Sequence, residues 1–381
     1  MPREIKVAAI QMDGEVAPTG ERLKRAETLI DNAVSQGAEL IVLPATFNTG
    51  KTFRETNYEV TERLSDSTMQ WLCQQAQKHQ IHLAGSLMIV DKDDTYHAAF
   101  LVAPDGTNWR YDQQYPYLWE RVFYRDGNGI TVADTAIGKI GMVIGWDAAH
   151  PEIWERYAAK VDLMLVFNDT LDYEQALLRY KDGLMIEPHN LGVLANWLAR
   201  TTTNYLHDDL ETQSQWLTVP AVCAGASGEL VSILPAPFFS IQGLLFGRAS
   251  LWERADGQYA DMELIAPFQR NSRILDNQGK TIERITDEGD AVIVGPVTLT
   301  DKTPLPLDVP QPEMSAPESA RNIVDMISGA LLTLNYRRGV RRQWGARMAP
   351  MDAGTRLWLR VLMLVAGLAA IVGWLLLPKK P

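Results

Sequence analysis

Cysteine is scarce: the 381 residues hold two, Cys73 and Cys223. Two thiols so far apart make no disulfide framework, so a reducing compartment is implied and each reads as a small buried hydrophobe. The six histidines fall in no His-x-x-x-His or paired Cys/His spacing, which argues against a zinc site, and no cofactor is expected. Basic residues are in deficit, 36 Lys and Arg against 47 Asp and Glu, and the net charge of -11 argues against nucleic acid as a partner. Met1 to Lys6 is followed by a strand pattern without an apolar signal region, so no signal peptide is expected. No internal repeat is found beyond the pseudo-symmetry of a layered fold.

What is present is ample apolar material, 46% of the residues, enough for one large domain with appendages. The charge is unevenly placed. Residues 318–381 carry ten Lys and Arg against Glu318, Asp325 and Asp352, leaving 26 basic and 44 acidic residues in 1–317. An acidic body with a basic end suits a domain held near an anionic membrane surface. Beyond the basic run, Val361 to Leu377 contains no charge, and extending back to Leu357 gives 21 residues broken only by Arg360. At a helical rise that is about 31 Å, enough to cross a bilayer with Arg360 snorkelling and Trp358 and Trp374 at the interfaces. Residues 356–377 are therefore expected to be a transmembrane helix.

Along the chain, Lys6 to Met12 reads as a strand, Glu21 to Gln36 as a helix stopped by Gly37, and Leu40 to Leu43 as a second apolar strand. Thr68 to Lys78 is a further helix, followed by a hairpin of Ile81 to Val90 and Ala98 to Val102, and Pro104-Asp105-Gly106 is a turn. Leu163 to Phe167, Trp216 to Ala224 and Asp290 to Val297 complete the strand candidates, with Pro220 confining the second to an edge or bulge. This alternation is the grammar of a sheet covered by helices, an α/β fold. The uncharged run Leu230 to Gly247 is broken by Pro235 and Pro237. It reads either as a buried hairpin or as an exposed loop whose Phe238, Phe239, Leu244 and Leu245 meet a partner or the membrane. Thr303 to Pro317 holds five prolines, a semi-rigid linker. An amphipathic helix marked by Ile323, Val324, Ile327, Leu331 and Leu334 follows, with Arg337, Arg338, Arg341 and Arg342 as a juxtamembrane contact within 318–355.

The informative stretch is Ile140 to Asp147, followed by His150-Pro151-Glu152: a short apolar strand turning at a small residue into a helix, the corner where many hydrolases present a nucleophile. It resembles the nucleophile elbow of the nitrilase, or carbon-nitrogen hydrolase, superfamily, with Trp146, Asp147, Pro151 and Glu152 at matching spacings. Gly37 to Gly50 is similar to that family's second signature. The Trp109 to Tyr115 and Glu120-Arg121 region resembles its third, and Ser272 to Lys280 its late hairpin. The resemblance spans residues 5 to about 300 and implies an α-β-β-α sandwich. It also implies attack of a cysteine thiolate on an amide or nitrile carbon, a Glu handling protons and a Lys stabilising the tetrahedral intermediate. Those three places map to Gly145, Ala45 and Gln113. Loss of a nucleophile alone costs on the order of 10⁴ to 10⁶ in rate. Glu120, Trp146 and Asp147 are expected to line the vestigial pocket, as ligand contacts or as hydrogen-bond partners of backbone.

The expectation is a nitrilase-like sandwich over 1–302 that no longer hydrolyses, with its N-terminal domain in the cytoplasm. A single membrane helix would anchor it as a scaffold, assembly or regulatory subunit beside an integral membrane protein, and the resemblance adds possible self-association. The alternatives are an active amidase or nitrilase with displaced catalytic groups, and a binder of an amide-like metabolite.

Overall fold

In the computed structural model of the chain, residues 2–92, 94–180, 182–191, 196–197, 199–200, 208–235 and 262–344 are described. Strand β1 (Arg3–Asp13) is buried without interruption from Val7 to Met12, the mark of a strand covered on both faces. Helix α1 (Thr19–Ser35) ends where Gly37, at φ +87°, donates its N–H to the Val34 carbonyl. A side chain is disfavoured in that left-handed conformation, which is why glycine stops the helix. Next come β2 (Leu40–Val42), α2 (Ser67–His79), β3 (His82–Asp91), β4 (Asp94–Val102) and β5 (Asn108–Asp112). The second half of the body holds β6 (Val132–Thr135), β7 (Gly138–Ile144), α3 (Pro151–Tyr157), β8 (Leu163–Asn168), α4 (Asp208–Leu217) and β11 (Ala221–Ser227).

Among the described residues twelve strands make one continuous sheet in the order β5-β4-β3-β2-β1-β11-β8-β7-β6, with branches. A hairpin of β14 (Arg273–Leu275) and β15 (Thr281–Arg284) pairs with β11, and β16 (Ala291–Leu299) runs antiparallel to β1. The two halves join only where Met12 and Asp13 pair with Ala226 and Ser227, and beyond that join they face each other. Val7, Ala9, Val42, Ala84 and Leu101 of one half pack with Met142, Ile144, Leu165, Phe167 and Val222 of the other. The alternate residues Ala8, Ile10, Ile41 and Leu83 face outward onto α1 and α2. On the opposite outer face Val143, Val166 and Cys223 meet α3, α4 and the long helix α5 (Glu318–Trp344). The period-two alternation of each strand thus builds a helix-sheet-sheet-helix sandwich. A small sheet of β9 (Leu177–Arg179), β10 (Met185–Ile186), β12 (Glu229–Ile233) and β13 (Glu263–Pro267) lies beside it.

The strand read at Trp216 to Ala224 is corrected: Trp216 and Leu217 end α4, and the strand begins at Ala221. Pro220 stands just ahead of it, where its missing N–H costs nothing and its carbonyl still accepts from Met164. The strand is also internal, between β1 and β8, instead of at an edge. The proline-rich segment runs along α4, with Leu307 N–H on the Trp216 carbonyl, Trp216 Nε1 on the Val309 carbonyl and Ser315 on Asp209. Leu230 to Ile233 belong to β12, whereas Phe238, Phe239, Leu244 and Leu245 lie outside the described residues, as do residues 356–377. Among the described residues no helix is long and apolar enough to cross a membrane. Arg337, Arg338, Arg341 and Arg342 fall on the last turns of α5.

Candidate functional site

Three segments that leave the sheet converge at one end of the sandwich, and each turns through a residue in the left-handed region. Thr46, after β2, has φ +47°; Leu118, after β5, has φ +43°; Gly145, at the end of β7, has φ +49°. For Thr46 and Leu118 this conformation is costly, about 1–2 kcal/mol each, and such strain persists where packing enforces it. The loop bearing Thr46 is held by buried Arg22, which donates to the carbonyls of Asp13, Glu15 and Phe47, and by Lys51 N–H on the Gly14 carbonyl. Gly50 is required in that loop: at φ +74° it lies against the Glu15 carbonyl, where a Cβ would overlap.

These segments bring Ala45, Gln113 and Gly145 to the same end of the sandwich. All are buried, and the point where a side chain at Gly145 would begin lies 3.5 Å from Gln113 Nε2. Around them runs a chain of buried hydrogen bonds. Ser86 contacts His97 Nε2 at 2.9 Å, and His97 Nδ1 contacts Gln113 Oε1 at 3.1 Å. Gln113 Nε2 donates to Glu120 Oε2 at 3.2 Å, Lys51 Nζ donates to Glu120 Oε1 at 2.5 Å and to Asp169 Oδ1 at 2.8 Å, and Thr46 donates to Asp169 Oδ2 at 3.2 Å. Since Gln113 must present its N–H₂ to the carboxylate, its oxygen faces His97, whose Nδ1 therefore carries the proton and whose Nε2 accepts from Ser86. Burial lowers the His97 pKa, consistent with a neutral ring.

Charge in this cluster is balanced locally. Burial alone would lower the Lys51 pKa, but Asp169 and Glu120 outweigh it and leave it raised. Burial would raise Asp169, and the neighbouring Lys51 holds it below the usual carboxylate range instead. The ammonium thus stays charged between two carboxylates, one of which also accepts the Tyr117 N–H at 2.8 Å.

Asp147 is wholly buried and committed elsewhere. It accepts the Tyr111 hydroxyl at 2.6 Å and the backbone N–H groups of Gln114 and Tyr115, so it clamps the segment that carries Gln113 to the Gly145 turn. Burial, the dominant effect, raises its pKa to about 7. Trp146, also buried, meets the edge of Tyr117 and donates Nε1 to Asp325 of α5 at 3.3 Å. Cys223 sits in the apolar layer behind α4, its thiol pushed up to about 12 by burial, which suppresses the thiolate that nucleophilic attack requires.

Residues 6–186 match the carbon-nitrogen hydrolase family model. That is a carbon-nitrogen hydrolase domain. Relatives include a nitrilase of Pyrococcus abyssi, 31% identical over 160 residues (41% of this chain, 61% of that one), and the omega-amidase NIT2 of Danio rerio, 29% identical over 160 residues (39% and 57%). The match therefore spans about three-fifths of these relatives' length. Saccharomyces cerevisiae Nit3, a nitrilase-superfamily structure, superposes with a TM-score of 0.55 at 20% identity over 79% of this chain and 92% of its own. A mutant of the Nesterenkonia amidase, with acrylamide added to its active site cysteine, gives 0.54 at 15% over 76% and 92%. The nitrilase-superfamily fold thus accounts for the sandwich.

In this nitrilase-fold chain the sequence reading located Gln113, Glu120 and Gly145 but passed over Lys51, His97 and Asp169. A signal was available. Asp169 directly follows β8, as Gly145 follows β7, and the carboxyl ends of such strands are where α/β sheets build their sites. Lys51 directly follows the Gly50 that closes the second signature.

Proposed function

We propose that this chain is a non-hydrolysing member of the nitrilase superfamily that serves as a scaffold, assembly or regulatory subunit at a membrane. The observation that carries the reading is the corner of β7: Gly145 stands at the strand-to-helix turn, with Gln113 facing it and the nearby charges satisfied by one another. Acyl transfer from an amide or nitrile needs a nucleophile with a base in reach, and none of the residues around this corner is a thiol. The membrane part of the proposal rests on the uncharged Val361 to Leu377 run behind a cluster of arginines. The relatives named nitrilase or amidase set the reaction class to test. Full-length protein in mild detergent, offered short-chain amides, omega-amides and nitriles, should release ammonia at the background rate. Turnover that survives repurification and disappears in Gly145→Val would overturn the proposal.

A further inference from the structure

Helix α5 lies across the two turns that carry Glu120 and Gly145. Its Asp325 is the polar centre of that contact: Oδ1 accepts from Trp146 Nε1 at 3.3 Å and from Arg121 at 3.4 Å, and Oδ2 lies 3.4 Å from His150 Nε2. The histidine is held from its other side by Glu152 Oε1, 3.2 Å from Nδ1, and stacks flat on Tyr115 at 3.6 Å. A carboxylate at Nδ1 requires the ring to donate there, so in a neutral ring the buried Nε2 is a bare lone pair turned toward a second carboxylate.

We propose that the docking of α5 takes up one proton on Asp325, placed between its Oδ2 and His150 Nε2, so that the helix is a proton-dependent cover over the candidate site. The surrounding charges fit this. Facing the pair are Arg121 with its partner Asp126 from the 118–126 segment, Glu152 from α3, Tyr115 from the segment after β5, and neutral Trp146 from the Gly145 turn, whereas Arg156 of α3 is exposed and donates to Gln114. Within α5 Arg321 is buried and donates to the Ala316 carbonyl. Arg121, the guanidinium in contact with Asp325, is shared with Asp126, and a proton from solvent supplies the partner that Oδ2 lacks. It also turns a lone-pair repulsion into a hydrogen bond. Burial raises the Asp325 pKa, against the opposing pull of His150 and Arg121. A group whose pKa is higher when docked contributes fully below its undocked value, about 4 for a carboxylate, and less as the pH rises through the docked value.

The test is amide hydrogen exchange of residues 318–336 in the full-length protein at pH 5.5 and 8.5, corrected for intrinsic exchange rates. The upward shift makes docking weaken as the pH rises, so protection should be severalfold higher at the lower pH. In Asp325→Asn the side-chain amide can donate to Nε2 without a proton, and protection should be the same at both pH values. His150→Gln, which offers Asp325 a donor in place of the bare lone pair, should behave likewise and serves if the first variant does not fold. Wild-type protection that changes less than about twofold, or a folded variant that keeps the full wild-type change, would overturn the proposal.

Discussion

Lys51 and Glu120 meet at 2.5 Å, the ammonium on one side-chain oxygen while the Gln113 amide and the Tyr117 N–H take the other. Asp169 completes the group from a third segment, and Thr46 ties it to the loop after β2. The cluster joins the segments that bear Ala45 and Gln113 to the one that follows β8, while Asp147 ties the Gln113 segment to the Gly145 turn, so together they determine whether the site keeps its shape.

Replacing Lys51 by Met should therefore be among the most damaging single changes in the body. It leaves two buried carboxylates facing each other without a cation, a loss of about 3–5 kcal/mol, read as a lower unfolding midpoint. The pH dependence should reverse as well. In the wild type Asp169 has a depressed pKa, so its contribution is present above about 3.9, the unfolded value, and is lost as pH falls through the folded one. Without Lys51 burial pushes Asp169 upward, and the variant should gain stability as the pH is lowered from 7.5 to 5. A Lys51→Met protein as stable as the wild type at pH 7.5 would mean that the ion triad does not hold these segments.

Much of this fold was legible because its strands are continuous apolar runs and its turns use residues with one conformational role. Gly37, Pro104 and the 276–279 turn mark their places without tertiary information. The Glu318–Trp344 helix was readable from Ile323 and Val324, but its contact with the site was not. Asp325 looks like a solvated residue on a polar face until the fold brings Arg121, Trp146 and His150 to it. Lys51 was hidden for the same reason: a lysine after a glycine reads as surface, and its burial depends on carboxylates far along the chain. Asp147 was visible as a polar residue beside the corner, yet only the geometry distinguishes a backbone clamp from a pocket wall.

That clamp gives a second pH test. The pKa of Asp147 is raised to about 7, so its contribution is complete below about 3.9 and disappears as pH rises through 7. Wild-type stability should fall between about pH 4 and 7, by at most about 4 kcal/mol from this group over its whole range. Asp147→Asn removes the titration and should flatten that part of the profile. Asp147→Ala should cost about 3 kcal/mol at pH 6, because it strands the N–H groups of Gln114 and Tyr115 and the Tyr111 hydroxyl. Chemical denaturation across the pH series separates the two; identical profiles for wild type and Asp147→Asn would show that the clamp does not titrate in this range.

The proposed membrane segment can be tested together with its direction. Seven arginines, at 337, 338, 341, 342, 347, 356 and 360, precede the uncharged run, and Lys379 and Lys380 follow it. If the run spans a membrane, the positive-inside bias would put the side with more basic residues, and with it the acidic body, in the cytoplasm. Ala366 with Ala370 and Ala369 with Gly373 form two small-xxx-small pairs, the spacing that lets one helix face approach a neighbouring membrane helix. Deleting residues 356–381 should move most of the protein to the soluble fraction. A remainder held through the other arginines, at about 1 kcal/mol per basic side chain near anionic lipid, should wash off in high salt. Protease added to the cytoplasmic face should digest the body of the intact protein; protection there, with digestion from the opposite face, would invert the topology, and full membrane retention of the deletion variant in high salt would place the anchor elsewhere in the chain.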